Sequence, residues 1–192
     1  MTIPHGVRET VLRRVRRLSR GARDVVLGAA VIGSRFDLRV LTATLDADEP
    51  SIRAALNEAC RLQITVADDA SDRWSFRHAL TRDIVYAELA AARVRPLHRR
   101  IVRVLERDAP DGERPLHDLA YHAWAARDVR RGIRYNEMAG DRAVAMHAHE
   151  DARLLYARAR ALSAVGSRGF VRLNAKLSGL GAGVGGNDGT NE

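Results

Sequence analysis

From Val7 onward the apolar positions recur at spacings of three and four, through Val11, Val15 and Leu18. That period predicts an amphipathic helix over residues 7–18, its other face made of Arg8, Arg13, Arg14, Arg16 and Arg17. Val25, Val26, Leu27, Ala29, Ala30, Val31 and Ile32 then leave almost no polar face. A helix over 20–32, with Ser19 as N-cap and Gly33 at its end, is therefore predicted at the centre of a first core. Asp37 can cap a short helix over 38–45, and a turn over 46–50 leads into a helix over 51–62 with Ile52, Leu56 and Ala59 facing inward. The period then falls to two. Residues 63–66 and 73–76 are predicted strands around a polar loop at 68–72. From Ala79 the helical period returns, with Leu80, Ile84 and Val85 on one face and Leu89 a turn further on. Helices are predicted over 78–89 and 94–107, and Arg77 and His78 fall at the strand-to-helix junction.

A helical trio followed by a β-hairpin has the layout of a winged helix. Residues 109–115, with two prolines and a glycine, predict a linker and a domain boundary. Three further helices are predicted over 116–126, 129–146 and 150–163, joined by tight turns. Small residues Ala139, Ala143, Ala152 and Ala159 allow these helices to approach closely. They resemble a tetratricopeptide-type hairpin with one flanking helix. From Val165 the pattern collapses, and six glycines between 178 and 192 predict disorder. Those glycines lack the lysine and the strand-to-helix setting of a phosphate loop. The organisation read from the sequence is thus a mainly α chain in three parts. They are a winged-helix domain with its following helices over 1–109, the start of a helical repeat over 110–164, and a disordered tail over 165–192.

Composition narrows the chemistry. Hydrophobic residues make up 46% of the chain and aromatics only 5%, so the cores must be aliphatic and alanine-rich. The formal charge is +8, but all 32 basic residues except Lys176 are arginine. That skew fits a coding bias, so the high isoelectric point is discounted as a sign of nucleic acid. The arginine runs at 8–23 and 93–107 could touch nucleic acid non-specifically, but are read by preference as solvated or paired faces. Over residues 46–73 seven carboxylates stand against three arginines, a balance of −4, which argues against DNA contact through the wing. A single cysteine, Cys60, excludes an internal disulfide and fits an intracellular, cytoplasmic setting. No apolar run reaches the roughly 18 residues a membrane span needs, and the first residues lack a signal peptide's apolar segment.

Candidate reactive groups are few. His117 and His122 are five apart, off the spacing that aligns ligands on a helix, and His147 and His149 flank a turn next to Glu150. With no cysteine pair, no metal site is assigned. Ser19, Ser75 and Cys60 have no evident partnered base, so no catalytic residue is assigned and the chain is not read as an enzyme.

Four segments together resemble one family. They are Ile3-Pro-His-Gly-Val-Arg-Glu-Thr-Val11; Leu18-Ser-Arg-Gly-Ala-Arg23 running into Ala29-Ala-Val-Ile-Gly33 with Phe36-Asp37; Phe76-Arg-His-Ala-Leu-Thr-Arg-Asp-Ile-Val-Tyr86 followed by Leu97-His-Arg-Arg100; and Leu119-Ala-Tyr-His-Ala-Trp124. Their order and spacing resemble the large bacterial STAND-class signalling ATPases, above all the multidomain LuxR-type transcriptional regulators and their cyclase-linked relatives. In that family a P-loop ATPase precedes the winged helix, helical repeats follow it, and many members end in a DNA-binding helix-turn-helix. Neither the P-loop, the magnesium-binding strand nor that terminal module is found in this sequence. The resemblance therefore implies a regulatory segment that acts through domain and protein contacts, probing ATP or ADP only through an ATPase module in trans. It also implies a role for His78, which matches the family's winged-helix histidine that contacts the nucleotide phosphate. A helix start is a setting where such a histidine could donate to an anion. Two alternatives remain: a stand-alone helical-repeat module that binds a protein or peptide, and a DNA-binding winged helix.

Overall fold

The structure is a computed structural model that describes residues 5–68, 71–108 and 114–182. Among these residues the chain forms ten helices and one small sheet of three strands, so it is mainly α. It divides into two compact units, Met1–Val104 and Leu105–Glu192. The division falls within a helix, five residues before the linker that composition suggests. Most of that linker, residues 109–113, lies outside the described residues, as do residues 69–70 of the polar loop.

In the first unit the helices are α1 (His5–Arg16), α2 (Arg20–Ile32), α3 (Leu38–Leu45), α4 (Glu49–Arg61), α5 (Ala79–Ala87) and the first part of α6 (Ala91–Asp108). Polar side chains start α2, α3 and α4, where helix N–H groups lack partners. The Ser19 hydroxyl accepts from the Ala22 N–H at 3.2 Å, Asp37 from the Arg39 N–H at 2.8 Å and Asp48 from the Ser51 N–H at 2.9 Å. Helix α2 is the buried centre: Val26, Ala29, Ala30 and Val31 have no exposed surface. Around it pack Leu41, Ile52, Leu56 and Ile84. Close approach is also built in at Gly28, where a Cβ would stand 2.7 Å from a Leu45 methyl.

The strands are β1 (Arg35–Asp37), β2 (Thr65–Ala67) and β3 (Arg73–Phe76), ordered β1-β3-β2 and antiparallel throughout. Phe36 faces Trp74 across β1 and β3, and Ala67 faces Trp74 across β2 and β3. Strand β1 is a correction to the sequence reading, which contains only the hairpin. Three residues between a helix-ending glycine and a capping aspartate are too few to display a period, and their partner lies 38 positions away. The start of β2 is also later than the pattern suggests. Gln63 adopts φ 57°, and its N–H and that of Ile64 still bond to the end of α4 at Cys60 and Ala59.

The second unit carries α7 (Leu116–Ala125), α8 (Val129–Ala145), α9 (His149–Leu162) and α10 (Arg168–Ala182). The turns before α8 and α9 close through left-handed residues, Arg127 at φ 56° and His147 at φ 57°. Asn136 ties α8 to α7 by donating to the Ala120 carbonyl at 2.9 Å. Helix α10 overturns the expectation of a disordered tail from residue 165. Leu173 is fully buried with Ala152, Tyr156 and Ala159 of α9, and Leu177 and Leu180 pack beside it. Its spacing of four and three is helical, but the glycines that follow mask it. The remaining part of that tail, 183–192, lies outside the described residues. Among the described residues no helix is long and apolar enough to cross a membrane.

Candidate functional site

The end of β3 delivers Arg77 and His78 to the start of α5. Two backbone bonds fix the exit: the Phe76 N–H donates to the Ser34 carbonyl at 2.9 Å, and the Arg77 N–H to the Ile64 carbonyl at 3.0 Å. His78 then takes an extended conformation, φ −138° and ψ 140°, and serves as N-cap of α5. Its carbonyl accepts from the Thr81 N–H at 2.9 Å, while its imidazole makes no capping bond. Both Arg77 and His78 are exposed. No acidic residue occupies the first turn of α5, so nothing there offsets the partial positive charge of the helix start. Such a junction offers an imidazole, a guanidinium on the preceding residue and free helix N–H groups, a set suited to an oxyanion.

A second histidine behaves differently. His98, on α6, has no exposed surface, and its Nε2 lies 3.1 Å from the Tyr86 hydroxyl. Burial, reinforced by the Arg82 charge, pushes its pKa down to about 4. The Arg82 guanidinium stacks 4.6 Å from the Tyr86 ring centre and donates to the Ala30 carbonyl at 2.7 Å. His98 is therefore neutral at pH 7, a packing residue on the buried face of α6, four after Val94 and three before Ile101.

The acids between residues 46 and 73 have structural work. Asp46 ends α3 in the left-handed conformation, and Asp48 caps α4. Arg53 bridges Glu49 and Asp72 at 2.8 and 3.1 Å. Glu58 receives the backbone N–H and the hydroxyl of Ser19 at 2.6 and 2.8 Å, and these bonds hold its carboxyl below the ordinary range. This pairing links α4 to the cap of α2, beside an apolar groove of about 550 Å³ floored by Ala22, Val25, Ile52 and Ala55. A smaller hollow of about 330 Å³ in the second unit is lined by His117, Asp118, Arg142 and Asp151 among others.

The remaining polar candidates are dispersed. His122 is buried, whereas His117, His147 and His149 are exposed, the last two with ring centres 6.3 Å apart. Cys60 is half-buried, its Sγ 3.5 Å from the Thr65 hydroxyl, which bonds the Leu56 carbonyl. Ser19 is occupied by capping and by Glu58. Ser75 lies inside β3. No protein-family model matches the chain, and neither does any curated protein.

Proposed function

We propose that this chain is a regulatory segment of a STAND-type signalling ATPase, active in transcriptional regulation. In this reading the first unit is a winged helix whose wing is the β2–β3 hairpin, and α7 to α10 begin a tetratricopeptide-like array. The segment works through contacts with an ATPase module and other proteins, and has no catalysis of its own. The observation that carries the reading is the β3–α5 junction: a hairpin strand feeds a helix whose N-cap is an exposed histidine without a capping bond. A nucleotide phosphate held by the ATPase module would meet His78 and the free N–H groups of α5 together. Nucleotide state would then decide whether the two modules stay closed.

The test is titration with ADP, first of the chain alone and then of its complex with a candidate ATPase module. Binding should require the complex and weaken by about tenfold or more on His78→Ala, the scale of one charge-assisted hydrogen bond. Unaltered ADP affinity in that variant complex would remove His78 from the mechanism.

A further inference from the structure

Helix α6 buries Val94, His98, Ile101 and Val102 on one face. On the other, Arg95, Arg99 and Arg103 follow one another at intervals of four, so they form a line with steps of about 6 Å. All three are exposed. No carboxylate pairs with any of them among the described residues, and α6 has no acidic residue before Glu106. The next arginine in the line, Arg107, is held by Asp108 at 2.8 Å. Three arginines of this unit do find carboxylates, Arg8 with Glu88, Arg53 with Glu49 and Asp72, and Arg93 with Asp24; other exposed arginines such as Arg35, Arg61 and Arg77 have none among the described residues but stand singly, not in a line. The arginines at the end of α1 have an internal account, since a helix C-terminus favours cations. Those of mid-α6 have only a long bond, 3.4 Å from the Arg103 Nε to the Arg99 carbonyl. Like charges four apart destabilise a helix by about 0.2–0.5 kcal/mol per pair, so the line is held against its own repulsion.

We propose that this line of arginines binds the phosphate backbone of nucleic acid, without reading base sequence. Three features select that partner. A protein interface needs a desolvated apolar anchor at its centre, and α6 offers none on this face: the exposed large hydrophobic residues described in this unit are Val7 and Val66. A lipid surface needs an apolar helix face turned outward, and that face of α6 is buried. A linear polyanion needs only regularly spaced cations, because its affinity comes from releasing condensed counterions. The line lies outside the acidic wing region, so the charge balance that argues against contact through the wing does not oppose it.

The experiment is fluorescence anisotropy with a labelled duplex of arbitrary sequence, titrated with the full chain at several salt concentrations. Three phosphate contacts give a slope of log affinity on log salt near about −2.7, or roughly forty-fold weaker binding between about 50 and about 200 mM salt. Arg95→Gln with Arg99→Gln and Arg103→Gln should flatten the slope, and Lys at all three positions should keep it. Arg99→Gln alone should reduce the slope by about 0.9. Thermal melts by circular dichroism should leave every variant folded, since all three side chains are exposed. The proposal is overturned if the wild-type chain shows no salt-dependent binding, or if the triple glutamine variant binds like wild type. It is equally overturned if Arg13→Gln with Arg16→Gln and Arg17→Gln abolishes binding in its place, or if poly-glutamate binds more tightly than the duplex.

Discussion

Acidification should destabilise the first unit through His98. An unfolded histidine titrates near 6.5, whereas burial holds His98 at about 4 in the fold. Between those values the unfolded chain binds a proton that the folded one refuses, so stability rises with pH through this window and is lost as pH falls through it. The full difference is about 3 kcal/mol, and from about pH 7.5 to about pH 5 the loss is about 2 kcal/mol. Urea unfolding can resolve this, because a loss of that size moves the midpoint by about 1 M for a unit of this length. Trp74, 4% exposed in β3, reports the first unit once Trp124 of the second unit is replaced by Phe in the wild-type and variant chains alike. His98→Gln keeps a hydrogen-bonding group toward Tyr86 and removes the titration. The variant should be less stable at pH 7.5 and should lose most of the slope between pH 7.5 and 5. A wild-type midpoint that is flat over that range, or a variant that keeps the slope, would refute the assignment.

Two further outcomes concern the second unit, and one, at Gly21 of α2, the first. Gly140→Ala should destabilise by about 1 kcal/mol in a thermal melt: overpacking costs about 1–3 kcal/mol against a helix-propensity gain of about 1. The added Cβ would stand 2.5 Å from Tyr156 Cε1, and moving that ring breaks the 2.7 Å bond from its hydroxyl to Asp141; Gly21→Ala, with nothing within 4 Å, should instead stabilise. Glu137→Gln should loosen α10, since the Arg172 guanidinium and the Lys176 ammonium bond that carboxylate at 2.7 and 2.9 Å and hold it down to about 2. Amides of α10 should then exchange roughly tenfold faster, the equivalent of about 1.4 kcal/mol, while those of α7 stay unchanged; equal exchange would remove the ion pairs as an anchor.

Local signals carried much of the fold. Ser19 and Asp37 begin helices where cap chemistry puts them, and the unbroken apolar run of α2 becomes the buried centre, whereas α4 starts at Glu49 behind Asp48, inside the stretch read as a turn. What escaped depends on distant partners. Strand β1 exists because Arg35 to Asp37 pair with Arg73 to Ser75, and no window of neighbouring residues contains that information. Helix α10 is anchored by Leu173 against α9 and by Glu137 of α8, while its own composition speaks for a loop. At the candidate site, the position of His78 at a helix start was legible from the change of period. The exposure of its side chain was not, nor was the contrast with buried His98. The α6 arginines were visible as a run, but only the burial of Val94, His98 and Ile101 sorts them into an outward line.

The strand order β1-β3-β2 places the last strand made in the middle of the sheet. During synthesis, Arg35–Asp37 and Thr65–Ala67 emerge with no hydrogen-bonding neighbour and must wait for Arg73–Phe76 to come between them. A nascent chain stalled or cut before Phe76 would display two unsatisfied strand edges and the uncovered rings of Phe36 and its surroundings, a target for chaperones and a seed for association. The order of translation thus gives this small sheet a single closing moment, late in the making of the first unit.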